Sequence, residues 1–301
     1  MNVTKREWTS PASLGEGEIY SCAWTGPQVR QVLLLAHGMA EYSGRYDSFA
    51  RHLAQRGIAV YANDHAGHGK STQPQGHLGD WDACVEDLRR LSQDAGKDFP
   101  EAPQALLGHS MGSFLARSYA AKYGAGLSGC VLCGTMGKNP GVALGKALAS
   151  LQCKIAGPKS RGRLLSLLAF AGYNKEIPHP VNGSAWLASD DQVCLDYEAD
   201  PLCGFPFTAA GYRALFTGLA SISGTGWASQ VPKDLPLLLL AGEEDPVGAW
   251  GKGPRQVAQW LAETGHSKAE LVLYPGMRHE ILNERGKERV WEKVLAFLQG
   301  L

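Results

Sequence analysis

One serine in this chain has the surroundings of a nucleophile. Residues 108–112 read Gly-His-Ser-Met-Gly, follow a short apolar run and open a helical pattern. This strand–turn–helix context gives the G-x-S-x-G motif its chemical meaning. Such a turn is crowded and needs small residues on both sides, which Gly108 and Gly112 supply, and it projects Ser110 into a site. The alternative is a Gly-Ser turn that only caps an ordinary helix.

Two later residues have the chemistry to activate that serine. A serine nucleophile needs a base that takes its proton and an acid that orients the base. His279 and Asp245 each follow an apolar run, so both are expected at strand ends, where the side chains of a parallel sheet converge. Glu243 and Glu244 compete with Asp245 for the acid role. The alternatives are a turn aspartate before a proline and a surface histidine that caps the next helix.

Backbone N–H groups are expected to stabilise the negative charge that develops on the substrate oxygen. One donor is expected from Met111, directly after the serine, and a second from Met39, in the loop after the apolar run 32–36. His37 in the same loop is expected to support it without reacting. With Ser110, these groups predict acyl transfer through a covalent intermediate.

Residues 64–71, which read Asp-His-Ala-Gly-His-Gly-Lys-Ser, suggest two other kinds of site. The end of this run matches a P-loop, but Asp64 stands where that motif requires glycine, so nucleotide binding is disfavoured. His65, His68 and His77 lack the carboxylate or cysteine that would complete a metal-ligand set. A structural loop is favoured, and no metal or other cofactor is expected.

The elements that position these residues follow from short apolar runs that alternate with helical patterns. Runs rich in valine and leucine, without polar alternation, predict strands buried on both faces. Their alternation with amphipathic helices predicts an α/β fold with a mostly parallel sheet flanked by helices. The expected strands are 32–36, 58–62, 104–107, 130–133, 237–241 and 271–274, and the expected helices are 46–56, 84–95, 114–123, 254–264 and 287–298.

Between residues 136 and 227 the pattern shows helical patches and loops without a convincing buried strand. An insertion of this kind lies above the carboxyl ends of the strands, where ligands bind. The sequence therefore predicts a core of residues 1–135 and 228–301 and a helical cap of residues 136–227. Apolar residues at helical spacing in the cap are compatible with an acyl-chain channel and transient contact with a membrane or micelle, or with simple packing onto the core.

Composition restricts the partners and the compartment. The 301 residues include 29 Lys and Arg and 29 Asp and Glu, so no overall field would recruit nucleic acid or an anionic membrane. No run approaches the roughly 18 apolar residues of a membrane span, and no secretory signal is visible. The seven cysteines do not form a disulfide framework. A soluble cytoplasmic protein with a small-molecule substrate is expected.

Together these segments resemble the monoacylglycerol lipase and lysophospholipase branch of the α/β-hydrolases, a group that is also described as S33-like serine aminopeptidases. The resemblance implies the α/β-hydrolase fold with a helical cap insertion. It covers both core segments and reaches the cap only loosely. The residues that carry it are 37–46, 64–71, 108–112, 242–247 and 274–284, with 200–202 in the cap.

The resemblance also implies roles for individual residues. It implies that Glu41 and Arg45 lie near the end of the site that receives the polar head of a monoglyceride. Tyr42 departs from the family, which often has histidine there, and Leu282 stands where some members have a second histidine for glycerol. The resemblance implies a catalytic triad and two oxyanion donors at Ser110, Asp245, His279, Met39 and Met111.

The expected activity is hydrolysis of monoacylglycerol-like or lysophospholipid-like carboxylic esters. A proline-type aminopeptidase or a thioesterase would use the same three catalytic groups. A non-catalytic ligand receptor on the same scaffold would be expected to lack one of them. A peptidase needs carboxylates that hold the free amine of its substrate, and the candidates are Glu41, Asp190, Asp191, Asp196, Glu198 and Asp200.

Overall fold

A computed structural model describes residues 2–301 and contains one sheet of eight strands. The strands are β1 (Thr4–Pro11), β2 (Glu18–Thr25), β3 (Gln31–Ala36), β4 (Ile58–Asn63), β5 (Gln104–His109), β6 (Gly129–Cys133), β7 (Leu237–Gly242) and β8 (Ala269–Tyr274). Their order is β1-β2-β4-β3-β5-β6-β7-β8. Strand β2 pairs antiparallel with β1 and β4, and all other pairs are parallel. The predicted mostly parallel sheet is confirmed.

The helices cover both faces of this sheet. They are α1 (Asp47–Ala54), α2 (Trp81–Asp98), α3 (Met111–Tyr123), α4 (Val142–Ala156), α5 (Arg163–Phe170), α6 (Asp191–Ala199), α7 (Ala209–Ser221), α8 (Thr225–Ala228), α9 (Lys252–Glu263) and α10 (Glu288–Gln299). Alternate residues of β3 enter two separate cores, because Leu34 packs with α2, α3 and α9 while Leu35 packs with α1 and α10. Each leucine buried this way contributes about 2 kcal/mol.

Two features of the sheet differ from the prediction. The sequence does not predict strands β1 and β2. Strand β1 is an edge strand, and its mostly exposed and polar sequence carries no apolar signal. Strand β8 was expected to be buried on both faces, and this is wrong: it forms the opposite edge of the sheet and is only partly covered. An edge strand has a neighbour on one side alone, so its side chains are less enclosed.

Between β6 and β7 the chain forms helices α4 to α8, and no part of it joins the sheet. Helices α4, α5 and α7 coincide with the helical patches in the sequence, while α6 lies where the sequence is polar on most sides. The boundaries 136 and 227 stay a prediction, and below we call helices α4 to α8 with their loops the insertion. Within residues 2–301, no helix is long and apolar enough to cross a bilayer.

Candidate active site

The turn between β5 and α3 holds Ser110 in an uncommon backbone conformation, with φ 52° and ψ −121°. A non-glycine residue at positive φ is strained and persists only where its surroundings fix it. Here the Ser110 N–H donates to the carbonyl of Cys133 at 2.9 Å. An added Cβ at Gly108 would collide with the carbonyl of Gly112, and one at Gly112 with that of Ala36. Glycine is therefore required on both sides of this serine.

His279 lies beside Asp245 at the carboxyl edge of the sheet. The Nδ1 of His279 is 3.0 Å from Oδ2 of Asp245, and both side chains are almost completely buried. The other carboxylate oxygen of Asp245 accepts the N–H of Val247 at 2.8 Å. A proton held on Nδ1 by the carboxylate leaves Nε2 of the imidazole free to accept one. Glu243 and Glu244, the rivals for the acid role, are both exposed.

Ser110 and His279 line the same cavity, which has a volume of about 350 Å³. Among residues 2–301, no hydrogen bond joins the Ser110 hydroxyl to the imidazole of His279. Contacts of this kind in hydrolases often tighten only around the substrate. The structure therefore brings the predicted nucleophile and base to one cavity, with the final contact left to the bound substrate.

Two backbone N–H groups at this cavity have no acceptor within residues 2–301. Met111 is the first residue of α3, so its N–H has no partner inside the helix. The N–H of Met39 lies between two amides that are engaged, because Gly38 donates to Glu41 and Ala40 donates to His68. Both methionines line the cavity next to Ser110. The two groups predicted to hold an oxyanion are therefore available to one.

Three buried histidines form the base of the loop that carries Met39. Nε2 of His37 accepts the N–H of His65 at 3.0 Å, and Nε2 of His65 lies 3.1 Å from the carbonyl of His37. Nε2 of His68 accepts the N–H of Ala40 at 3.2 Å. A nitrogen that accepts an N–H carries no proton, so these contacts need neutral rings at His37 and His68, whereas Nε2 of His65 donates to its carbonyl. Burial lowers the pKa of His37 and of His68 to about 3, and it lowers the pKa of His65 well below its ordinary value.

This histidine cluster supports the loop and offers no metal site. In the described part of the chain, residues 2–301, no group of three or more histidine, cysteine, aspartate or glutamate side chains is arranged to hold a metal ion. His77, the third candidate from the sequence, donates to or accepts from the hydroxyl of Thr208 at 3.0 Å instead. The motif at 64–71 thus positions backbone next to Ser110.

A network of buried charges lies at the polar end of the cavity. The Arg45 guanidinium donates to Glu41 at 2.8 Å and to both oxygens of Glu280 at 2.6 and 2.7 Å. Glu41 also accepts the hydroxyl of Tyr46 at 2.7 Å and the N–H of Gly38 at 2.5 Å. Glu41 and Glu280 line the cavity, whereas Arg45 lies behind them. The sequence signalled Glu41 and Arg45 but not Glu280.

His109, the variable residue of the G-x-S-x-G run, connects this network to the base. Its Nδ1 lies 3.2 Å from Oε1 of Glu41, and its Nε2 lies 3.3 Å from the carbonyl oxygen of His279. Burial lowers the pKa of His109, but the Glu41 carboxylate outweighs burial and the pKa is raised. The network contains two carboxylates, Glu41 and Glu280, and one guanidinium, Arg45, so a positive charge on His109 would neutralise the remaining negative charge.

The loop that carries His279 is held by the insertion. The N–H of Glu280 donates to the carbonyl of Leu187 at 2.7 Å, and the buried carboxylate of Glu284 accepts the N–H and hydroxyl of Ser189. The ring of Trp186 lies 5.2 Å from that of His279. Sequence analysis missed these contacts, since an isolated Glu284 five residues after a histidine carries no signal of its own.

The sheet order, the strained serine at the end of β5 and the His–Asp pair at the ends of β7 and β8 define an α/β-hydrolase. Residues 27–286 match the family described as serine aminopeptidase, S33, and the chain belongs to that family. The protein is therefore a hydrolase enzyme.

Two sequence relatives and one solved structure resemble the chain over most of its length. A monoacylglycerol lipase from Mycolicibacterium smegmatis is 30% identical, over 99% of both chains. A human monoglyceride lipase is 29% identical, over 89% of this chain and 82% of its own. A carboxyl esterase structure from Bacillus coagulans, in complex with glycerol, has a TM-score of 0.93 and 31% identity over 98% of both chains.

The neutral histidine cluster predicts a specific loss of stability in acid. A histidine in the unfolded chain has a pKa of about 6.5. The contribution of the neutral histidines to stability is therefore complete above that pH, and the free energy of unfolding decreases as the pH falls toward the lowered pKa values of the folded histidines. We expect His65→Phe to reduce the slope of unfolding free energy between pH 6 and 4.5 by up to about 1.4 kcal/mol per pH unit.

Urea denaturation at a series of pH values measures this slope. The exposed His179 offers a matched control, and His179→Phe should leave the slope of the wild-type protein unchanged. An unaltered slope in the His65→Phe variant would contradict a neutral histidine at that position.

Proposed function

We propose that the protein is a serine hydrolase of esters with a long acyl chain, of the monoacylglycerol or lysophospholipid type. In this proposal Ser110 is the nucleophile, His279 the general base and Asp245 the acid that orients the base. The observation that supports this proposal most is that the strained Ser110 and His279 line the same apolar cavity. Nδ1 of His279 pairs with the buried carboxylate of Asp245.

The reaction follows from these positions. Ser110 Oγ attacks the ester carbonyl while Nε2 of His279 takes the hydroxyl proton, and the N–H groups of Met39 and Met111 hold the oxyanion. His279 then gives that proton to the leaving alcohol, which departs and leaves an acyl group on Ser110. Water then attacks the acyl carbonyl while it loses a proton to His279, and His279 returns that proton to Ser110 Oγ as the carboxylic acid leaves. Asp245 keeps the imidazole in the required tautomer throughout.

The polarity of the cavity supports a substrate with an apolar chain and a polar alcohol. Most of its wall is aliphatic or aromatic and comes from α3, α4, α5 and α7, with Phe114, Leu148, Leu165, Leu215 and Leu219 among the residues. The carboxylates of the lining are Glu41 and Glu280, and both pair with Arg45. An acyl chain along the apolar wall would leave the alcohol facing that network.

The two departures from the family pattern do not reach the cavity. The Tyr42 hydroxyl donates to Asp200 at 3.0 Å, and so connects the Met39 loop to the insertion. Leu282 is buried in the core that contains Leu35 and residues of α1 and α10. Neither residue therefore binds a glycerol head directly, and Glu41 and Glu280 are the groups that would contact the alcohol.

A peptidase is disfavoured because no free carboxylate is available to hold a substrate amine. Glu41 is engaged by Arg45, Tyr46, Gly38 and His109, and Glu280 is engaged by Arg45 and Asn283. The other candidate carboxylates do not line the cavity, namely Asp190, Asp191, Asp196, Glu198 and Asp200. A thioesterase would use the same groups as an esterase, and a ligand receptor would not need all three of them.

The surface around the cavity mouth favours contact with a lipid aggregate. Leu144 of α4 and Leu168 of α5 line the cavity and are nevertheless 64% and 55% exposed, so the cavity opens between these two helices. The same two helices carry six large exposed apolar side chains, and they are Leu144, Leu151, Ile155, Leu164, Leu167 and Leu168. Exposed apolar side chains concentrated in this way favour an interaction site.

The charge of the same segment specifies an anionic lipid surface. Although the whole chain is neutral, residues 136–175 contain seven cations and no carboxylate. All seven are exposed, and they are Lys138, Lys146, Lys154, Lys159, Arg161, Arg163 and Lys175. Basic residues beside exposed leucines favour binding to an anionic lipid surface, because the leucines bury apolar area in it and the cations are attracted to its negative charge. For the compartment we propose the cytoplasm, since all seven cysteines are free thiols.

Ester hydrolysis by the proposed triad predicts how turnover depends on the length of the acyl chain, and it predicts that turnover is lost when Ser110 is replaced. We expect p-nitrophenyl esters to be cleaved with a kcat/KM that rises from acetate to longer chains, because the wall is apolar. Ser110→Ala should abolish turnover, and Asp245→Asn should lower kcat by about 10⁴-fold through the wrong imidazole tautomer. The matched controls are Ser229→Ala and Glu244→Gln, both at exposed positions. Turnover that survives in Ser110→Ala would overturn the proposal.

Docking on anionic lipid predicts selective binding to vesicles. The protein should co-sediment with vesicles that contain phosphatidylglycerol and not with pure phosphatidylcholine. Replacing Lys154 and Arg163 with glutamine should weaken binding by about 5-fold per charge, since each contributes about 1 kcal/mol near the surface. Lys233→Gln, exposed outside the segment, is the control. Equal binding to both vesicles would contradict the charge argument and leave ester hydrolysis untouched.

A further inference from the structure

Arg117 is a buried cation that the proposed chemistry does not use. It lies on α3, two turns after Ser110, and its side chain is only 1% exposed. In the part of the chain that the structure describes, no carboxylate lies against it, and burial lowers the pKa of Arg117 to about 9. A buried charge without a counter-ion is costly and rarely kept without a reason.

Two carbonyl oxygens and two indole rings hold this guanidinium. Nη1 donates to the carbonyl of Met136 at 2.9 Å, and Nη2 donates to the carbonyl of Ile222. The rings of Trp227 and Trp260 lie 4.2 and 5.7 Å from the guanidinium carbon. Trp227 is fixed in turn, because its indole N–H donates to the carbonyl of Arg117 at 2.8 Å.

The two carbonyls flank the segment that contains helices α4 to α7. Met136 lies three residues after β6, and Ile222 directly follows α7. Helices α4 to α7 therefore lie between the two points that Arg117 joins. Met136 also lines the cavity, as does Phe114, one turn before Arg117 on the same helix.

We propose that Arg117 is a positioning residue that fixes both ends of the segment α4–α7 to helix α3, which begins directly after Ser110. This inference rests on the proposed ester hydrolysis, because its consequence is the placement of the acyl-chain wall relative to Ser110. A planar guanidinium presents two N–H groups in a fixed fork and so joins two carbonyls at once, whereas a lysine ammonium would reach only one in the same geometry.

The test compares Arg117→Met with Arg117→Lys. Methionine keeps much of the length and removes the charge and both donors. For Arg117→Met we expect kcat/KM for long-chain esters to fall about 10-fold, mainly through KM, while acetate turnover stays within about 2-fold. Arg117→Lys should lie between. Arg213→Met changes an exposed arginine on α7 and should behave as wild type.

Amide hydrogen exchange gives a readout independent of activity. In Arg117→Met the amides of residues 137–142 and 222–226 should exchange faster, with the strands unchanged. Where that variant fails to fold, Trp227→Phe loosens the same contact, because it removes the indole N–H and should give the same two changes in weaker form. Equal losses on short and long esters, or a lower melting temperature with unchanged exchange and chain-length profile, would overturn the inference. Absence of ester hydrolysis in the wild type, with exchange altered as expected, would overturn the function alone.

Discussion

The strained backbone of Ser110 is the constraint on which the site depends. A positive φ at a non-glycine residue costs about 1–3 kcal/mol, and the hydrogen bond to Cys133 and the close packing of Gly108 and Gly112 maintain it. The same turn starts α3, so the Met111 N–H is left without a partner beside the serine. One local conformation therefore places a hydroxyl and an unpartnered N–H side by side at the cavity.

Every other part of the site holds a group in place around that turn. Neutral histidines support the loop of Met39, and the Asp245 carboxylate pairs with the imidazole of His279. The carboxylates at the polar end of the cavity are paired with Arg45, which stabilises them and withdraws them from an incoming amine. The insertion contacts both the loop of His279, through Glu284, and the nucleophile helix, through Arg117. The alignment of the site thus depends on the insertion as well as on the sheet.

The sequence was sufficient for the parts of the fold that have a local signal. Buried parallel strands are continuous apolar runs, so the strands that position Ser110, Asp245 and His279 were predictable. The β1 strand was not, because a polar edge strand has the composition of a loop. Arg117 and Glu284 were not either, since a buried charge and a surface charge look identical in sequence. Their role depends on carbonyls and amides more than 15 residues away.

The proposed reaction requires the Ser110 hydroxyl, the His279 imidazole and the amides of Met39 and Met111 to surround one substrate carbonyl. The most direct test is a crystal structure of the protein after reaction with an alkyl fluorophosphonate, whose tetrahedral phosphorus resembles the intermediate. We expect phosphorus bonded to Ser110 Oγ, one phosphoryl oxygen within about 3 Å of the Met39 and Met111 nitrogens, and Nε2 of His279 within hydrogen-bond distance of Oγ. An adduct at another residue, or a phosphoryl oxygen that points away from both amides, would contradict it.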